Sequence, residues 1–389
     1  MSSCLLGEPV RFNGGHSRDR FLTDDLDRYV EWVPVCPEIE IGLGAPRETL
    51  QLTAAGRLVS QSGHDHTDAM TALSGRRRGD LAGLSGYVVK SRSPSCGLSS
   101  VRVHSGTEPG GPPDSRPGSR SDSPPGSRPG DAIVAGNGRG VFAARVMAED
   151  PLLPAEEAGR LNDPLLRETF VERVFARARL GRLFGSGWRV RDLIDFHARH
   201  KLQLMAHDPV LSRQAGHLVA TARDRPGDTV REQYTVLFAQ ALARKASRGR
   251  HGNTLHHAFG LISELLDDTR RHDILATIDA CRRGELPLSV PVTLLRHHAE
   301  GCRAGYLAVQ TYLDPFPAGL GLRNYSGPPA RTPSPPARSR AKKPGAGQSA
   351  AAQVPNTAQA PNTAQAPKRT PGPKAAQGQR EGASACLGE

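Results

Sequence analysis

Three cysteines stand where a turn would hold a thiol in the open. Cys4 lies in Ser3-Cys4-Leu5-Leu6-Gly7, Cys36 in Pro34-Val35-Cys36-Pro37-Glu38, and Cys96 in Ser93-Pro94-Ser95-Cys96-Gly97. Neighbouring Pro and Gly place each thiol on a fixed turn rather than inside an element. Cys36 and Cys96 follow β-rich runs, and the carboxyl ends of strands in an open α/β sheet are where residues remote in sequence converge. Three converging thiolates would hold an iron–sulfur cluster with one iron left without a protein ligand. Intervals of 32 and 60 residues match no C-x-x-C spacing. Three unrelated buried cysteines therefore remain an open alternative at this point, since free cysteine is among the most buried residue types.

The elements that must position these thiols are short. Glu31-Trp32-Val33-Pro34-Val35 and Gly86-Tyr87-Val88-Val89-Lys90 read as strands ended by Pro, Ser or Gly, and Val101-Arg102-Val103 as another. Asp65 to Leu84 supplies a helix, weakened by Arg76-Arg77-Arg78-Gly79. After Pro151 the period becomes helical: Leu165, Leu166, Phe170, Val174 and Phe175 recur near every 3.6 residues, as do Leu255, Phe259, Ile262, Leu265 and Leu266. Val190 to Met205, Tyr234 to Ala246 and Asp273 to Arg282 are further amphipathic candidates. The expected fold is an α/β N-terminal domain, an open sheet with cysteines at strand ends, followed by an all-α C-terminal domain.

Composition sets the limits of both. The 389 residues include 42 Gly and 32 Pro, concentrated in two stretches. Residues 105–130 and 326–389 are rich in Ser, Arg, Pro, Gly or Ala and offer almost nothing apolar to bury, so a disordered insert and a disordered basic tail are expected. The tail contains the direct repeat Pro355-Asn356-Thr357-Ala358-Gln359-Ala360 and Pro361-Asn362-Thr363-Ala364-Gln365-Ala366. The domains expected are 1–150, 151–325 and the tail. Formal charge is +12, much of it from nine Lys and Arg against two Glu in the tail, which favours a polyanionic partner without naming one. The first residues lack a basic segment followed by an apolar one, and no run of about 18 apolar residues occurs, so a cytoplasmic protein with reduced thiols is expected.

Longer motifs add a resemblance. Ser3-Cys4-Leu5-Leu6-Gly7, Val10-Arg11-Phe12-Asn13-Gly14-Gly15-His16, the stretch from Val33 to Glu48 containing Pro34-Val35-Cys36-Pro37-Glu38 and Gly44-Ala45-Pro46-Arg47-Glu48, and Ser91-Arg92-Ser93-Pro94-Ser95-Cys96-Gly97 together resemble the thiouracil desulfidase domain family. Residues 199–207 and 290–298 resemble the helical domain often fused to it. The resemblance implies a 4Fe-4S cluster held by Cys4, Cys36 and Cys96, with the fourth iron open. It implies removal of sulfur from 4-thiouridine in tRNA by non-redox substitution, the open iron capturing sulfur that leaves as sulfide. Free thiouracil or another small thiolated compound is the alternative substrate, and a non-catalytic RNA-binding or redox-sensing protein the alternative of another class.

Within that chemistry Glu38 is the candidate acid/base group, and Ser95 the candidate partner of the pyrimidine; Ser93 and Asn13 are weaker candidates for substrate contact. A turn carboxylate and a turn hydroxyl are the ordinary readings of the first two. Members of the family usually have a short strand before the Ser-Ser-Cys segment, whereas here only Met1, Ser2 and Ser3 precede Cys4, which would loosen that ligand. In the helical half, Arg167, Arg173, Arg177, Arg179, Arg182, Arg189 and Arg191 form a basic run. They read either as a solvated face paired with Glu168 and Glu172 or, with Lys201, as contacts to tRNA phosphates. His197, His200, His207, His256-His257 and His297-His298 lack the carboxylate or thiolate company of helical metal sites and are assigned to packing, hydrogen bonding or RNA contact. Cys281, Cys302 and Cys386 are thiols without a role.

Overall fold

The computed structural model describes residues 1–105, 132–185 and 187–326. The insert expected at 105–130 and the tail at 326–389 fall almost wholly outside the described residues. Those described belong to one compact unit, Met1–Thr332. No helix among them is long and apolar enough to cross a membrane.

The N-terminal part is mixed α/β. Strands β1 (Leu50–Thr53), β2 (Leu58–Ser60), β4 (Val101–His104) and β5 (Ile133–Gly138) form a sheet in the order β2-β1-β4-β5, while β3 (Tyr87–Val89) pairs in parallel with β6 (Ala155–Glu157). β1 and β2 are antiparallel, with Leu52 opposite Leu58, and β1 runs parallel to β4, with Leu52 opposite Val103. Gly138 of β5 is required by close approach: a Cβ there would lie 2.6 Å from Val103 Cγ2.

The parallel pair is continued by backbone that is too short to count as strand. Ser2 N–H donates to Val88 O at 3.1 Å, Ser3 N–H to Val35 O at 3.0 Å and Val35 N–H to Met1 O at 2.9 Å. Met1–Ser3 is thus threaded between Val35 and β3, and the loosening expected at Cys4 does not occur because this segment is bonded on both sides. The strand expected over Glu31–Val35 contracts to a single bridge between Ser2 and Val35. Pro34 has no N–H to offer a ladder.

All three residues of β3 are buried, as a parallel strand covered on both faces should be. Val88 joins a core with Cys4, Leu5, Phe21 and Leu22, whereas Tyr87 and Val89 join one with Val35, Met70, Leu73 and Phe142. The period of two assigns alternate side chains to opposite faces. Helices α1 (Pro37–Glu40), α2 (Thr67–Arg76), α3 (Arg78–Leu81) and α4 (Val141–Glu149) cover this region.

The rest is helical: α5 (Pro164–Leu183), α6 (Val190–His207), α7 (Pro209–Ala220), α8 (Gly227–Ala243), α9 (Arg248–Gly260), α10 (Asp268–Arg283), α11 (Ser289–Gly301) and α12 (Gly305–Ala308). Asp163 caps α5 by accepting from Leu165 and Leu166 N–H at 2.8 and 3.0 Å, with Pro164 at the first helical position. Asp208 caps α7 in the same way. α5 does not belong to the helical half alone. Its Phe170, Val171 and Val174 are buried with Cys4 and Leu5, and its Ala176 and Leu180 with Tyr234 and Phe238 of α8. Phe316 and Leu320, late in the chain, also close the core that contains Cys4.

Candidate active site

Cys4, Cys36 and Cys96 open on one cavity of about 470 Å³, within the roughly 300–1,000 Å³ usual for small-molecule sites. The topology explains why. Met1–Ser3 lies between Val35, with which Ser2 bridges in parallel, and β3, whose Val88 accepts from Ser2 N–H; Cys4 and Cys36 follow at once, and Cys96 comes seven residues after Val89.

Each turn is held locally. Cys36 precedes α1, with Pro37 at its first position, and its N–H donates to Glu40 Oε1 at 3.2 Å. Cys96 N–H donates to Ser93 Oγ at 3.2 Å, and Gly97 N–H to Ser93 O at 2.8 Å. The start of α4 braces this turn, because Val141 N–H donates to Pro94 O and Ala143 N–H to Ser95 O, both at 3.1 Å. Gly140 is needed there; a Cβ would stand 2.5 Å from the carbonyl carbon of Ser95.

Burial pushes all three thiols up, Cys96 to about 11, with the neighbouring cysteines adding to the effect at Cys4 and Cys96. Such thiols ionise when a cation or metal takes up their charge. Among the described residues no group of three His, Cys, Asp or Glu is drawn closely enough to hold a single metal ion. Ligands of a cluster bind separate irons and so stand further apart than donors around one ion, and an all-thiol donor set suits iron–sulfur chemistry.

Glu38 and Ser95 meet beside the thiols. Ser95 Oγ donates to Glu38 Oε1 at 2.5 Å and lies 3.6 Å from Cys96 Sγ, and Ser93 Oγ is 2.9 Å from Ser95 Oγ. Glu38 lines the cavity with its side chain 15% exposed, and its other oxygen pairs with Arg47. Ser93 also lines the cavity. Asn13 is exposed and outside the lining, its Oδ1 accepting from Gly15 N–H at 3.2 Å in a local turn; adjacent Phe12 lines the cavity instead.

Arg47, Arg11, Lys90, Arg92 and Arg102 line the cavity and were not singled out from the sequence. Arg47 stood in a legible motif, Ala45-Pro46-Arg47-Glu48, nine residues beyond Glu38; the other four carry no local signal, since only the fold gathers them. Thr49 also lines the cavity, its Oγ1 buried without a hydrogen-bond partner.

The helical candidates are placed differently. Arg177, half-buried, donates to Leu84 O at 2.7 Å and pairs with Asp150, which ties α5 to the N-terminal part, and Arg173 is half-buried on the same helix, where burial lowers its pKa. Glu168 and Glu172 pair with Arg323, and Glu172 also with His207, instead of with the arginine run. Lys201 is exposed on α6. His197 contacts Tyr234 OH at 3.1 Å, and His200 stacks on Phe196 with ring centres 3.9 Å apart.

Comparison with known proteins accords with this division. The 2-thiouracil desulfurase family model matches residues 1–158, and the model for a protein of unknown function, DUF1722, matches residues 201–317. The uncharacterized protein YbgA of Escherichia coli (strain K12) is 32% identical over 153 residues, which are 39% of this chain and 90% of that protein. The solved [4Fe-4S]-dependent thiouracil desulfidase TudS aligns with 44% of this chain and 96% of its own at 22% identity, with a TM-score of 0.30. With both family models on one chain and the Escherichia coli relative covered almost throughout, the chain belongs to the two-domain thiouracil desulfidase-type family.

Proposed function

We propose that the cavity is the active site of an iron–sulfur desulfidase that replaces the thiocarbonyl sulfur of a thiolated uracil with oxygen, the substrate being 4-thiouridine in tRNA. The observation that carries this reading is the opening of Cys4, Cys36 and Cys96 on one cavity beside the hydrogen-bonded Glu38 and Ser95. The three cysteines would hold a 4Fe-4S cluster, which when bound supplies a soft Lewis acid with affinity for sulfur.

The chain's own residues do the rest. Glu38 takes a proton from the attacking water, and Ser95, fully buried and donating its one hydroxyl proton to Glu38, orients the carboxylate, while Ser93 on the cavity wall faces the pyrimidine. The oxygen of water bonds to the ring carbon, the carbon–sulfur bond breaks, and sulfur leaves as sulfide with the protons released. No electrons are transferred overall.

The tRNA reading is supported by charge. Arg11, Lys90, Arg92 and Arg102 line the cavity, and none forms an ion pair among the described residues. Free base carries no phosphate for them, whereas a nucleotide in RNA does. A free thiolated pyrimidine is the second reading, favoured by the 2-thiouracil named for the matching family. Anaerobic purification followed by turnover on thiolated tRNA and on free thiouracil tests both. A brown, iron-containing protein that desulfurates tRNA with a steep loss at high salt is expected. A colourless protein without iron overturns the proposal, and turnover on free base alone replaces its substrate.

A further inference from the structure

Arg47 reaches three parts of the cavity wall at once. One terminal nitrogen pairs with Glu38; the other donates to Val10 O at 2.9 Å and Gly44 O at 2.8 Å. Its backbone N–H donates to Phe12 O at 2.8 Å. The side chain is only 5% exposed, and its Nε is buried with no hydrogen-bond partner. Leaving a buried donor unmade is unusual in a native interior.

We infer that Arg47 is a positioning residue, fixing the Glu38 carboxylate against Ser95 and anchoring the Val10–Phe12 segment of the cavity wall. This inference rests on the desulfidase reading of the cavity. A planar guanidinium satisfies a carboxylate and two carbonyls in fixed directions, which a lysine ammonium, a point charge on a flexible stem, does not. Arg47 also sets a positive charge near all three thiols: burial lowers its pKa, and Cys36, Cys4 and Cys96 act against that shift. Charge and alignment are therefore separable contributions of one side chain.

Arg47→Ala and Arg47→Lys, purified anaerobically as full chains, test it by iron content, cluster reduction potential and steady-state kinetics. Arg47→Ala is expected to keep its iron, to lower kcat by about 100-fold with a smaller change in KM, and to regain activity when guanidinium ion is added. Its potential should move to a more negative value, because a nearby positive charge is gone. Arg47→Lys should keep the wild-type potential and still lose kcat. Wild-type kinetics in Arg47→Ala, failure of guanidinium to restore turnover, or loss of iron from both variants overturns the positioning role. In the last case the residue is structural. A colourless wild-type protein overturns the desulfidase reading and this inference with it, whereas a coloured, active wild type beside an indifferent Arg47→Ala overturns the inference alone.

Discussion

Charge is buried in two regions of this molecule, and different partners balance it in each. Around the thiols, Arg47 pairs with Glu38 on the wall of a cavity, while Arg47 Nε and Thr49 Oγ1 are left without partners. In the helical half, Glu172 accepts from Gln203 at 2.7 Å, faces His207 at 3.4 Å and Arg323 at 3.7 Å, and Arg323 donates to Tyr312 O at 2.6 Å. Burial would raise the Glu172 carboxyl, but His207 and Arg323 outweigh it and hold it well below the usual carboxylate range. Burial would lower His207, and Glu172 outweighs that too, raising it. The helical cluster also leaves buried atoms without hydrogen-bond partners, Gln203 Oε1 and Arg323 Nε among them, so the difference lies in the charges: Glu172 and His207 shift each other's ionisation, whereas Glu38 and Arg47 stand beside three thiols.

The contrast breaks most sharply at a cysteine. Cys36→Ser should abolish both iron binding and desulfurization while leaving the helical circular dichroism intact, and a variant that still binds a full complement of iron would remove Cys36 from the ligand set. Next in size is Glu38→Gln, expected to retain the cluster absorbance and lose about 10²- to 10⁴-fold in turnover, as removal of an acid/base group does. Loss of iron together with turnover would make Glu38 structural.

His207→Ala probes the helical region. It leaves Glu172 short of a partner and should destabilise the fold by about 3–5 kcal/mol, read as a large fall in Tm, with iron content per folded protein unchanged. An unchanged Tm would show that the helical cluster is not the stabilising one.

The smallest effect is graded with pH. Burial holds His197 and His200 at about 4 and His251 at about 3, so the folded state keeps them neutral. Between those values and about 6.5 the unfolded chain binds more protons, and stability should fall as pH drops through that window. His207 has the opposite sign: its contribution is complete below about 6.5 and is lost as pH rises through its raised folded pKa. Denaturant melts from pH 8 to pH 4.5 that showed no acid-side loss would contradict the burial of the three neutral histidines.

Much of the site was legible because its signals are local. Cys4, Cys36 and Cys96 sit in turns marked by Pro and Gly, and Glu38 and Ser95 lie next to them in sequence. β3 and β4 were readable as β-branched runs, but β1, β2, β5 and β6 were not, being short and placed by pairing rather than by pattern. The helix period was clear over α5, yet the same period cannot say that its two halves serve different cores. Arg173 and Arg177 looked like a solvated face because charge is visible in sequence and burial is not.

What the sequence by itself determined is which chemistry is available: three thiols at turns, a carboxylate and a hydroxyl beside two of them, and helices that follow. Only the tertiary structure decided which groups share a space. Met1–Ser3 is bonded to Val35 on one side and to Val88 of β3 on the other, and that alignment brings residues separated by as much as the span from Cys4 to Cys96 to one wall. It also turns Arg47 inward, sets four cations around the same cavity, and ties Arg177 to Leu84 and Asp150. Residue type is carried by the chain locally, whereas burial and proximity arise only when distant segments pack.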